Sequence, residues 1–255
     1  MKQIYSRISL AVILVSFALT QISWSVKESI GLGNNQGLFL FNIYLLNNEF
    51  HSDMSTTFVY EGMHLDEKGL SPEAFEMGLA GMHNLLEEGL LENDSILTIV
   101  DFNQPSYEKR MYVMDIKNMQ LLFQTWAAHG KNTGKEWAER FSNANESYKS
   151  SLGFYLTDEP YNGSNGYSLK LRGLEKNLND KALQRGIVIH GAYYVSQDFI
   201  NRQGYIGRSH GCPAVPMELS KPIINRIRSG SCLFIYNKNY HPTGLVLNPK
   251  FSHNS

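Results

Sequence analysis

The sequence contains little cysteine, no excess of one charge and no run of basic residues, and each shortage excludes a class of protein. Only two of its 255 residues are cysteines, Cys212 and Cys232, too few for a disulfide-stapled mini-protein or a zinc site of four thiolates. The formal net charge is −1. Because nucleic acids are bound largely through their phosphates, this balance argues against nucleic acid as a partner. The 42% of hydrophobic and 18% of charged residues are typical of a globular protein.

The N-terminus has the pattern of a secretory signal peptide. Lys2 and Arg7 precede an apolar run of 12 residues, 8–19. This run is shorter than the roughly 20 residues that span a bilayer. Ser23 and Ser25 are small residues at the positions that a signal peptidase reads, and they predict cleavage after Ser25. An uncleaved membrane anchor is the alternative. The sequence therefore predicts a protein of the periplasm or cell envelope, with no stable membrane span after cleavage.

The chain after residue 25 begins with a helical region. From residue 26 to residue 62 the apolar pattern is weak, and the sequence leaves open whether this segment is an arm or a lid. Ser71 and Pro72 are typical of a helix N-cap and first helical position, and Gly89 sits where a left-handed cap ends a helix. Four apolar residues at helical spacing predict the buried face: Phe75, Leu79, Met82 and Leu86.

Near residue 96 the helical spacing of apolar residues gives way to segments rich in β-branched and aromatic residues. This change indicates that the rest of the chain is mainly β. Asn-Gly pairs at positions 162–163 and 165–166 are typical of turns, and residues 219–227 predict a short helix. The predicted fold class is mainly β, a sandwich or small barrel behind a short helical N-terminal region. Seven segments rich in β-branched and aromatic residues are predicted strands: 96–102, 111–116, 121–127, 153–156, 167–171, 186–190 and 232–236.

The residues most typical of catalysis are one cysteine and two histidines. A His-Gly pair at 190–191 ends an apolar predicted strand, and a Ser-His-Gly-Cys run lies downstream at 209–212. A cysteine thiol has a pKa of about 8.5, so it needs a base or a cation beside it to act as a nucleophile near neutral pH. Two prolines closely follow Cys212 and argue against a helix N-terminus as the activator. His190 and His210 remain as the candidates.

Three neighbours of Cys212 have predicted supporting roles. The backbone amides of Gly211 and Cys212 can donate to a developing oxyanion, and Ser209 belongs to the same loop. Arg208 is a fixed positive charge that can bind a substrate carboxylate through two parallel hydrogen bonds. Together these residues predict acyl transfer by a cysteine, a chemistry that needs neither a metal nor a cofactor.

Other roles for these residues stay open. In an oxidising compartment a pair of cysteines is by default a disulfide, so a Cys212–Cys232 bond is one alternative. A His/His/Cys zinc site is another, although the sequence has no HExxH helix and no obvious carboxylate ligand nearby. Cys232 lies within an apolar predicted strand and is most simply a small buried residue. His129 is interpreted as a strand-end or surface residue rather than a catalytic one.

With these residues in place, the chain resembles the L,D-transpeptidases of the YkuD type, whose signature is a histidine, a spacer and then Ser/Thr-His-Gly-Cys. Matching segments follow one order from residue 91 to residue 236, including Ala-His-Gly-Lys-Asn at 128–132, Ile-His-Gly-Ala at 189–192 and Gly-Cys-Pro-Ala at 211–214. Two features depart from the family pattern. Eighteen residues separate His190 from Ser209, slightly more than the usual spacer, and Pro213 follows the cysteine in place of a polar or basic residue.

The resemblance implies a β-sandwich-like catalytic domain over residues 93–240. It would follow a signal peptide over 1–25 and an N-terminal arm and helical region over 26–92, and would precede a C-terminal tail over 241–255. The resemblance also implies that peptidoglycan stem peptides are the substrates, in cell-wall cross-linking or remodelling. Cys212 would be the nucleophile and His190 the general base, while His210 and Gly211 would shape the loop and the oxyanion site.

Two other functions remain open for the same sequence. An L,D-carboxypeptidase would use the same site to trim tetrapeptides, with water as the acceptor. A non-catalytic envelope protein would bind peptidoglycan with its two cysteines locked in a disulfide. Neither the acceptor nor the oligomeric state follows from the sequence.

Overall fold

A computed structural model of the chain describes residues 52–241, with side chains described from residue 56 onward. The predicted signal peptide, most of the predicted arm and nearly all of the predicted tail lie outside these residues. Four helices are described: α1 (Ser52–Gly62), α2 (Pro72–Glu87), α3 (Gln197–Gln203) and α4 (Met217–Ile227). Eight strands are described: β1 (Asn93–Asp101), β2 (Met111–Asp115), β3 (Gln120–Thr125), β4 (Gly153–Gly163), β5 (Gly166–Gly173), β6 (Val188–Gly191), β7 (Ala214–Val215) and β8 (Ser231–Tyr236).

The helix α2 begins and ends where its sequence predicts. The Ser71 hydroxyl accepts a hydrogen bond from the Ala74 amide at 3.1 Å, which satisfies one of the free amides of the first turn. Phe75, Leu79 and Met82 are buried as predicted. The prediction was wrong at Leu86, which is 41% exposed while Leu85 is 1% exposed. The buried face also includes two glycines of the helix, and this shifts its centre toward Leu85.

The eight strands form one sheet in the order β3-β2-β1-β8-β4-β5-β6-β7. The central strand β8 runs parallel to β1 and antiparallel to β4. Beyond β3 the chain continues to the other edge of the sheet, where Ala128 pairs with Ala214 of β7 and Gly130 pairs with Ser209. These two bridges join the edges, so the sheet is nearly closed. The fold is therefore mainly β, and the closure favours the barrel over the open sandwich.

All seven predicted strands are present, and several extend beyond their predicted bounds, most of all β4. The strand β4 continues to Gly163, which pairs with Gly166 of β5 across a two-residue turn. This turn lies where the Asn-Gly pairs predict one. The sequence patterns missed α1, the short helix α3 and the two-residue strand β7. No helix of the described residues combines the length and the apolar character needed to cross a membrane.

The helices cover the sheet and fix the position of its edge. The helix α2 packs against β1 and β8, and α4 packs against β5 and β6. The strands β1, β2 and β8 are buried over most or all of their length, and α2 covers β1 and β8. The strands β6 and β7 form the edge next to the 209–212 loop. The helix α4 packs against β6, and this contact holds the edge that carries the predicted catalytic residues.

Candidate active site

The strands β6 and β7 bring the predicted catalytic histidine and cysteine onto neighbouring segments. They run parallel, with His190 opposite Ala214. Cys212 lies two residues before Ala214, at the entry to β7. Both side chains are mostly buried, at 5% exposure for His190 and 9% for Cys212. The pairing of β6 with β7 therefore makes neighbours of two residues that are distant in the sequence.

The hydrogen bond of His190 defines which ring nitrogen is available. Its Nδ1 lies 2.9 Å from the carbonyl oxygen of Gly191. Because a carbonyl can only accept, Nδ1 carries the proton, and the neutral ring presents Nε2 as a bare acceptor. Burial lowers the pKa of His190, and the bond to Gly191 opposes this effect. The ring is thus held neutral in the tautomer that a general base requires.

The Cys212 thiol is hydrogen-bonded to a carbonyl and not to the base. Its Sγ lies 3.7 Å from the carbonyl oxygen of Gly186, and within residues 52–241 no hydrogen bond joins Cys212 to His190. Burial raises the pKa of the thiol, while the Val188 amide and the charge of Arg185 act in the opposite direction. Thiol and imidazole are therefore both neutral at rest, and the proton has to move during the reaction.

The loop that carries Cys212 is shaped by two serines and a glycine. Ser209 Oγ donates to the Cys212 carbonyl at 2.6 Å and accepts from the Gly211 amide at 3.0 Å. Ser150 Oγ donates to the Gly211 carbonyl at 3.1 Å. Gly211 has a φ of +126°, and a Cβ there would lie 2.8 Å from the carbonyl oxygen of Lys149. Only glycine fits this bend, and its amide is committed to Ser209.

The segment 128–131 holds the same loop from the other side. The Ser209 amide donates to the His129 carbonyl at 2.9 Å, and the Lys131 amide donates to the Ser209 carbonyl at 2.8 Å. The Ala128 amide donates to the Ala214 carbonyl at 2.8 Å. These bonds lie before and after Cys212 in the sequence. The segment that closes the barrel is thus the segment that fixes the nucleophile loop.

The interpretation of His129 as a strand-end or surface residue was wrong about the surface. Its side chain is fully buried, and Nδ1 lies 2.8 Å from Nη2 of Arg110, which is also fully buried. The Arg110 guanidinium donates further bonds to the carbonyls of Ala127 and Gln104, and it lies 4.7 Å from the centre of the Phe102 ring. A cation held inside the core thus supports the segment that contacts the nucleophile loop. The sequence shows no sign of this pair, since its members are 19 positions apart.

The charge of Arg110 fixes the protonation of His129. A guanidinium has only donors, so His129 Nδ1 accepts and Nε2 carries the proton. Burial, followed by the charge of Arg110, lowers the pKa of His129 to about 3. Burial also lowers the pKa of Arg110, to about 9. His129 is therefore a neutral structural residue at ordinary pH.

Arg208 and His210 lie on the accessible side of the loop. Arg208 is half-buried, and its Nη1 donates to the carbonyls of Lys131 at 3.3 Å and Gly134 at 3.2 Å. His210 is exposed, and its ring packs against that of Tyr148 at a centroid distance of 4.7 Å. The structure thus places His190, Ser209, Gly211 and Cys212 in a buried group, with Arg208 and His210 nearer the solvent.

Arg185 is a residue near Cys212 that the sequence analysis did not find. Its Nη1 donates to the Ser142 carbonyl at 2.8 Å and to Ser151 Oγ at 2.9 Å, and Nη2 donates to the Lys149 carbonyl at 2.5 Å. A Cβ on Gly211 would lie 3.3 Å from Nη2, so the guanidinium lies against the loop. No local pattern marks this arginine, because its partners come from a distant segment.

Two tyrosines near the site were also not predicted. Tyr193 is 76% exposed, and its ring packs against Tyr194 at 5.6 Å and Phe199 at 5.9 Å. Burial, followed by the charge of a Cys212 thiolate, raises the pKa of Tyr194 to about 12. Tyr193 and Tyr194 lie two and three residues after the end of β6, the strand that carries His190. This closeness in the sequence could have identified them.

Both cysteines are free thiols in the structure. Cys232 lies in β8 with no exposed surface, as predicted for a small buried residue, and burial raises its pKa far above the ordinary value. The alternative of a Cys212–Cys232 disulfide is therefore not what the structure shows. Among the described residues, no three His, Cys, Asp or Glu side chains are grouped to hold a metal ion.

Comparison with known proteins gives a family and several structural relatives. A sequence model described as "L,D-transpeptidase catalytic domain" matches residues 66–236. An L,D-transpeptidase from Mycobacterium smegmatis is similar at 12% identity and a TM-score of 0.35, over 56% of this chain and 59% of that one. The helical cell shape determining protein Pgp2 from Campylobacter jejuni is similar at 18% identity and a TM-score of 0.36, over 65% of this chain and 58% of that one. The chain thus spans less than two thirds of either protein. No curated protein matches it.

The family match covers more than half of the chain. It includes all eight strands, the histidine at the end of β6 and the whole Ser-His-Gly-Cys loop. The buried imidazole and thiol therefore lie within the matched region. On this match, the protein belongs to the family of L,D-transpeptidase catalytic domains.

Proposed function

We propose that the protein is a cysteine-dependent acyltransferase that acts on peptidoglycan stem peptides in the cell envelope. The observation that carries the proposal is the placement of a neutral imidazole at the end of β6 and a thiol just before the neighbouring strand β7, in a chain of this family. His190 Nε2 is free to accept a proton, because Nδ1 is held by the Gly191 carbonyl. A thiol that is protonated at rest needs such a base in order to become a nucleophile.

In the first half of the reaction, Cys212 Sγ attacks the carbonyl carbon of the third residue of a tetrapeptide stem. The thiol proton passes to His190 Nε2 as the carbon–sulfur bond forms and the carbonyl becomes a tetrahedral oxyanion. The amide bond to the terminal D-Ala then breaks, and the leaving nitrogen takes the proton from the imidazolium. The products are a thioester on Cys212, free D-Ala and a neutral His190.

In the second half, an acceptor amine attacks the thioester carbonyl. It gives its proton to His190, a new amide bond forms, and the sulfur leaves and regains a proton from the imidazolium. Water in place of the amine would yield a trimmed tripeptide with a free carboxylate, which is the carboxypeptidase outcome. The same two side chains therefore serve both reactions, and the acceptor alone distinguishes them.

Two further roles complete the proposed mechanism. We assign the oxyanion to the Cys212 amide, because the Gly211 amide is occupied by Ser209 Oγ at 3.0 Å. We assign Arg208 to a substrate carboxylate, since two carbonyls occupy its Nη1 while its charge has no carboxylate partner within residues 52–241. A guanidinium keeps enough donors for a bidentate contact in this situation.

The proposal is tested with purified protein and a disaccharide-tetrapeptide, with product masses as the readout. The wild-type protein should release D-Ala and, with an amine acceptor present, form an exchange product. Cys212→Ala should abolish both products, and His190→Ala should slow them by at least about a hundredfold. Cys232→Ala is the matched control, because it removes the buried thiol of β8 and leaves the site intact.

A covalent trap tests the nucleophile separately. A carbapenem-type acylating agent should add once to the wild-type and Cys232→Ala proteins and not to Cys212→Ala, as read by intact mass. Absence of the adduct on a protein whose thiols are shown to be free would contradict the proposal. Turnover that survives in Cys212→Ala would contradict it as well. Release of D-Ala without any exchange product would favour trimming over cross-linking.

A further inference from the structure

Three positive side chains lie around the nucleophile loop without a carboxylate to neutralise them. Within residues 52–241, the four ion pairs do not include Lys131, Arg185 or Arg208. Arg185 is held by backbone carbonyls, and Arg208 is already assigned to a substrate carboxylate. The Lys131 side chain is exposed and forms no hydrogen bond to the described chain. It is therefore a positive charge beside the loop to which no role has yet been assigned.

Backbone pairing positions Lys131 beside the nucleophile loop. Gly130 pairs in parallel with Ser209, so the next residue on each segment, Lys131 and His210, are neighbours. The Lys131 amide fixes this pairing by donating to the Ser209 carbonyl at 2.8 Å. Both Lys131 and His210 are exposed, and His210 is two residues from Cys212. The ammonium and the imidazole thus share the accessible side of the loop.

Tyr148 joins the two side chains into one surface. Its ring centroid lies 4.7 Å from that of His210, and the Lys131 Nζ lies 4.0 Å from the same tyrosine ring. A cation over an aromatic face is attracted by the ring, so the Lys131 ammonium is held against the ring of Tyr148. The tyrosine has a φ of +52°, a region that is uncommon for residues other than glycine. Its carbonyl accepts from the Asn132 amide at 3.1 Å, which ties this strained residue to the lysine segment.

We propose that Lys131, Tyr148 and His210 form a carboxylate-binding subsite for the donor stem peptide, separate from Arg208. This inference rests on the proposed function and adds to it a group that recognises substrate charge. The ammonium and an imidazole N–H are donors to a carboxylate, and the tyrosine ring preorganises them. His210 then contacts the substrate, while His190 remains the base.

A tetrapeptide stem offers this subsite up to three carboxylates. They belong to its glutamate residue, to a diaminopimelate side chain where the third residue is that diamino acid, and to the terminal D-Ala. All three have the same chemistry, so the structure identifies the group and a set of substrates identifies which one is bound. Three analogues, each with one carboxylate converted to a carboxamide, separate the sources.

The experiment measures binding, so that it does not depend on turnover. The tetrapeptide and its three carboxamide analogues are titrated by calorimetry into the full-length Cys212→Ala protein and into the same protein with Lys131→Met. We expect Lys131→Met to weaken binding of the parent peptide roughly tenfold, the size of a charge-assisted hydrogen bond. For one analogue the substitution should have no effect, because its missing carboxylate is the partner of Lys131.

Matched variants separate this role from a general effect of charge. Lys109→Met removes another exposed lysine that lies over an aromatic ring, at 5.7 Å from Trp126, and should leave all four affinities unchanged. Lys131→Arg should restore most of the parent affinity, because it keeps the charge. Tyr148→Leu should reproduce the loss seen in Lys131→Met. Melting temperatures check that every variant is folded.

The outcomes distinguish this inference from the proposed function. Equal weakening of all four peptides by Lys131→Met, no weakening of any, or no binding of the parent peptide would each overturn the subsite. Binding with the expected pattern but no turnover by the wild-type protein would contradict the acyltransferase and leave the subsite standing. Turnover by the wild-type protein, together with equal weakening of all four peptides by Lys131→Met, would support the acyltransferase and contradict the subsite.

Discussion

The guanidinium of Arg110 donates a hydrogen bond to Nδ1 of His129 at 2.8 Å, and neither side chain reaches the solvent. Within residues 52–241 no ion pair neutralises this buried cation. Its hydrogen bonds go to backbone carbonyls and to the histidine, whose own carbonyl receives the Ser209 amide. The relationship connects a core arginine to the nucleophile loop through a single residue.

Arg110→Met should destabilise the protein strongly. The substitution removes every donor of the guanidinium and takes this partner from the buried carbonyl of Ala127, from the part-buried carbonyl of Gln104 and from His129. At about 1–3 kcal/mol for each unsatisfied group, we expect a loss of about 3 kcal/mol in the free energy of unfolding, measured by urea denaturation. The control is Arg172→Met, whose ion pair with Asp158 is exposed and should contribute at most about 1 kcal/mol. Equal losses in the two variants would contradict a central role for Arg110.

The neutral His129 should make the protein less stable in acid. Its pKa is about 3 in the folded state, against about 6.5 when unfolded, so below pH 6.5 the unfolded chain binds a proton that the folded chain does not. Stability should therefore fall as the pH falls from 6.5 toward 3, by up to about 1.4 kcal/mol per pH unit from this residue.

Urea unfolding between pH 7 and pH 4 measures this dependence. His129→Gln should be less stable at pH 7 but should lose less stability on acidification than the wild-type protein. His210→Gln, which replaces an exposed ring, should follow the wild-type curve. A slope in His129→Gln that equals the wild-type slope would show that other groups cause the acid effect.

The activity should have a wide plateau in pH. Burial lowers the pKa of His190, so the base stays neutral and active below about 6.5, and the acid limb of kcat/KM should lie below that value. Burial raises the pKa of Cys212, so the thiol should be alkylated by iodoacetamide with a midpoint above about 8.5. A midpoint below that value would indicate a resting thiolate–imidazolium pair and would contradict the neutral pair described above.

Gly211→Ala should impair activity more than a comparable substitution elsewhere. A Cβ at this position would lie 2.8 Å from the Lys149 carbonyl, so the loop would have to shift and move Cys212. We expect kcat/KM to fall by at least about tenfold, which corresponds to about 1.4 kcal/mol. Gly166→Ala also places alanine at a positive φ, +73°, but in open space, and it should reduce stability without affecting kcat/KM. Parallel losses of activity in both variants would contradict the argument.

The fold was predictable where local patterns determine the structure. The cap at Ser71 and the apolar spacing of α2 fix that helix, and the alternation and composition of the seven segments fix the strands, since these signals come from adjacent residues. The strand β7 escaped prediction because two residues, Ala214 and Val215, have no period to detect. Its strand character comes from β6 and from Ala128, which are distant in the sequence.

The site was predictable only in part, for the same reason. His190 and Cys212 could be proposed because each lies in a short run of characteristic chemistry. Lys131 and Arg185 could not, since their proximity to Cys212 depends on the pairing of segments that the sequence does not mark. His129 was misinterpreted because a histidine beside a glycine is typical of the end of a strand. Its burial is explained by the hydrogen bond to Arg110, a distant residue that the local sequence does not indicate.

The closing bridges of the barrel also bear on the order of folding. Ala128 and Ala214 are far apart along the chain, and such a pairing costs loop-closure entropy before it gains stability. Until this loop closes, Cys212 has neither its buried environment nor the hydrogen bonds that shape its backbone. In the envelope location proposed above, a newly exported chain would carry an accessible thiol in an oxidising compartment, and the speed of this one long-range closure would determine how long that thiol is exposed to mispairing.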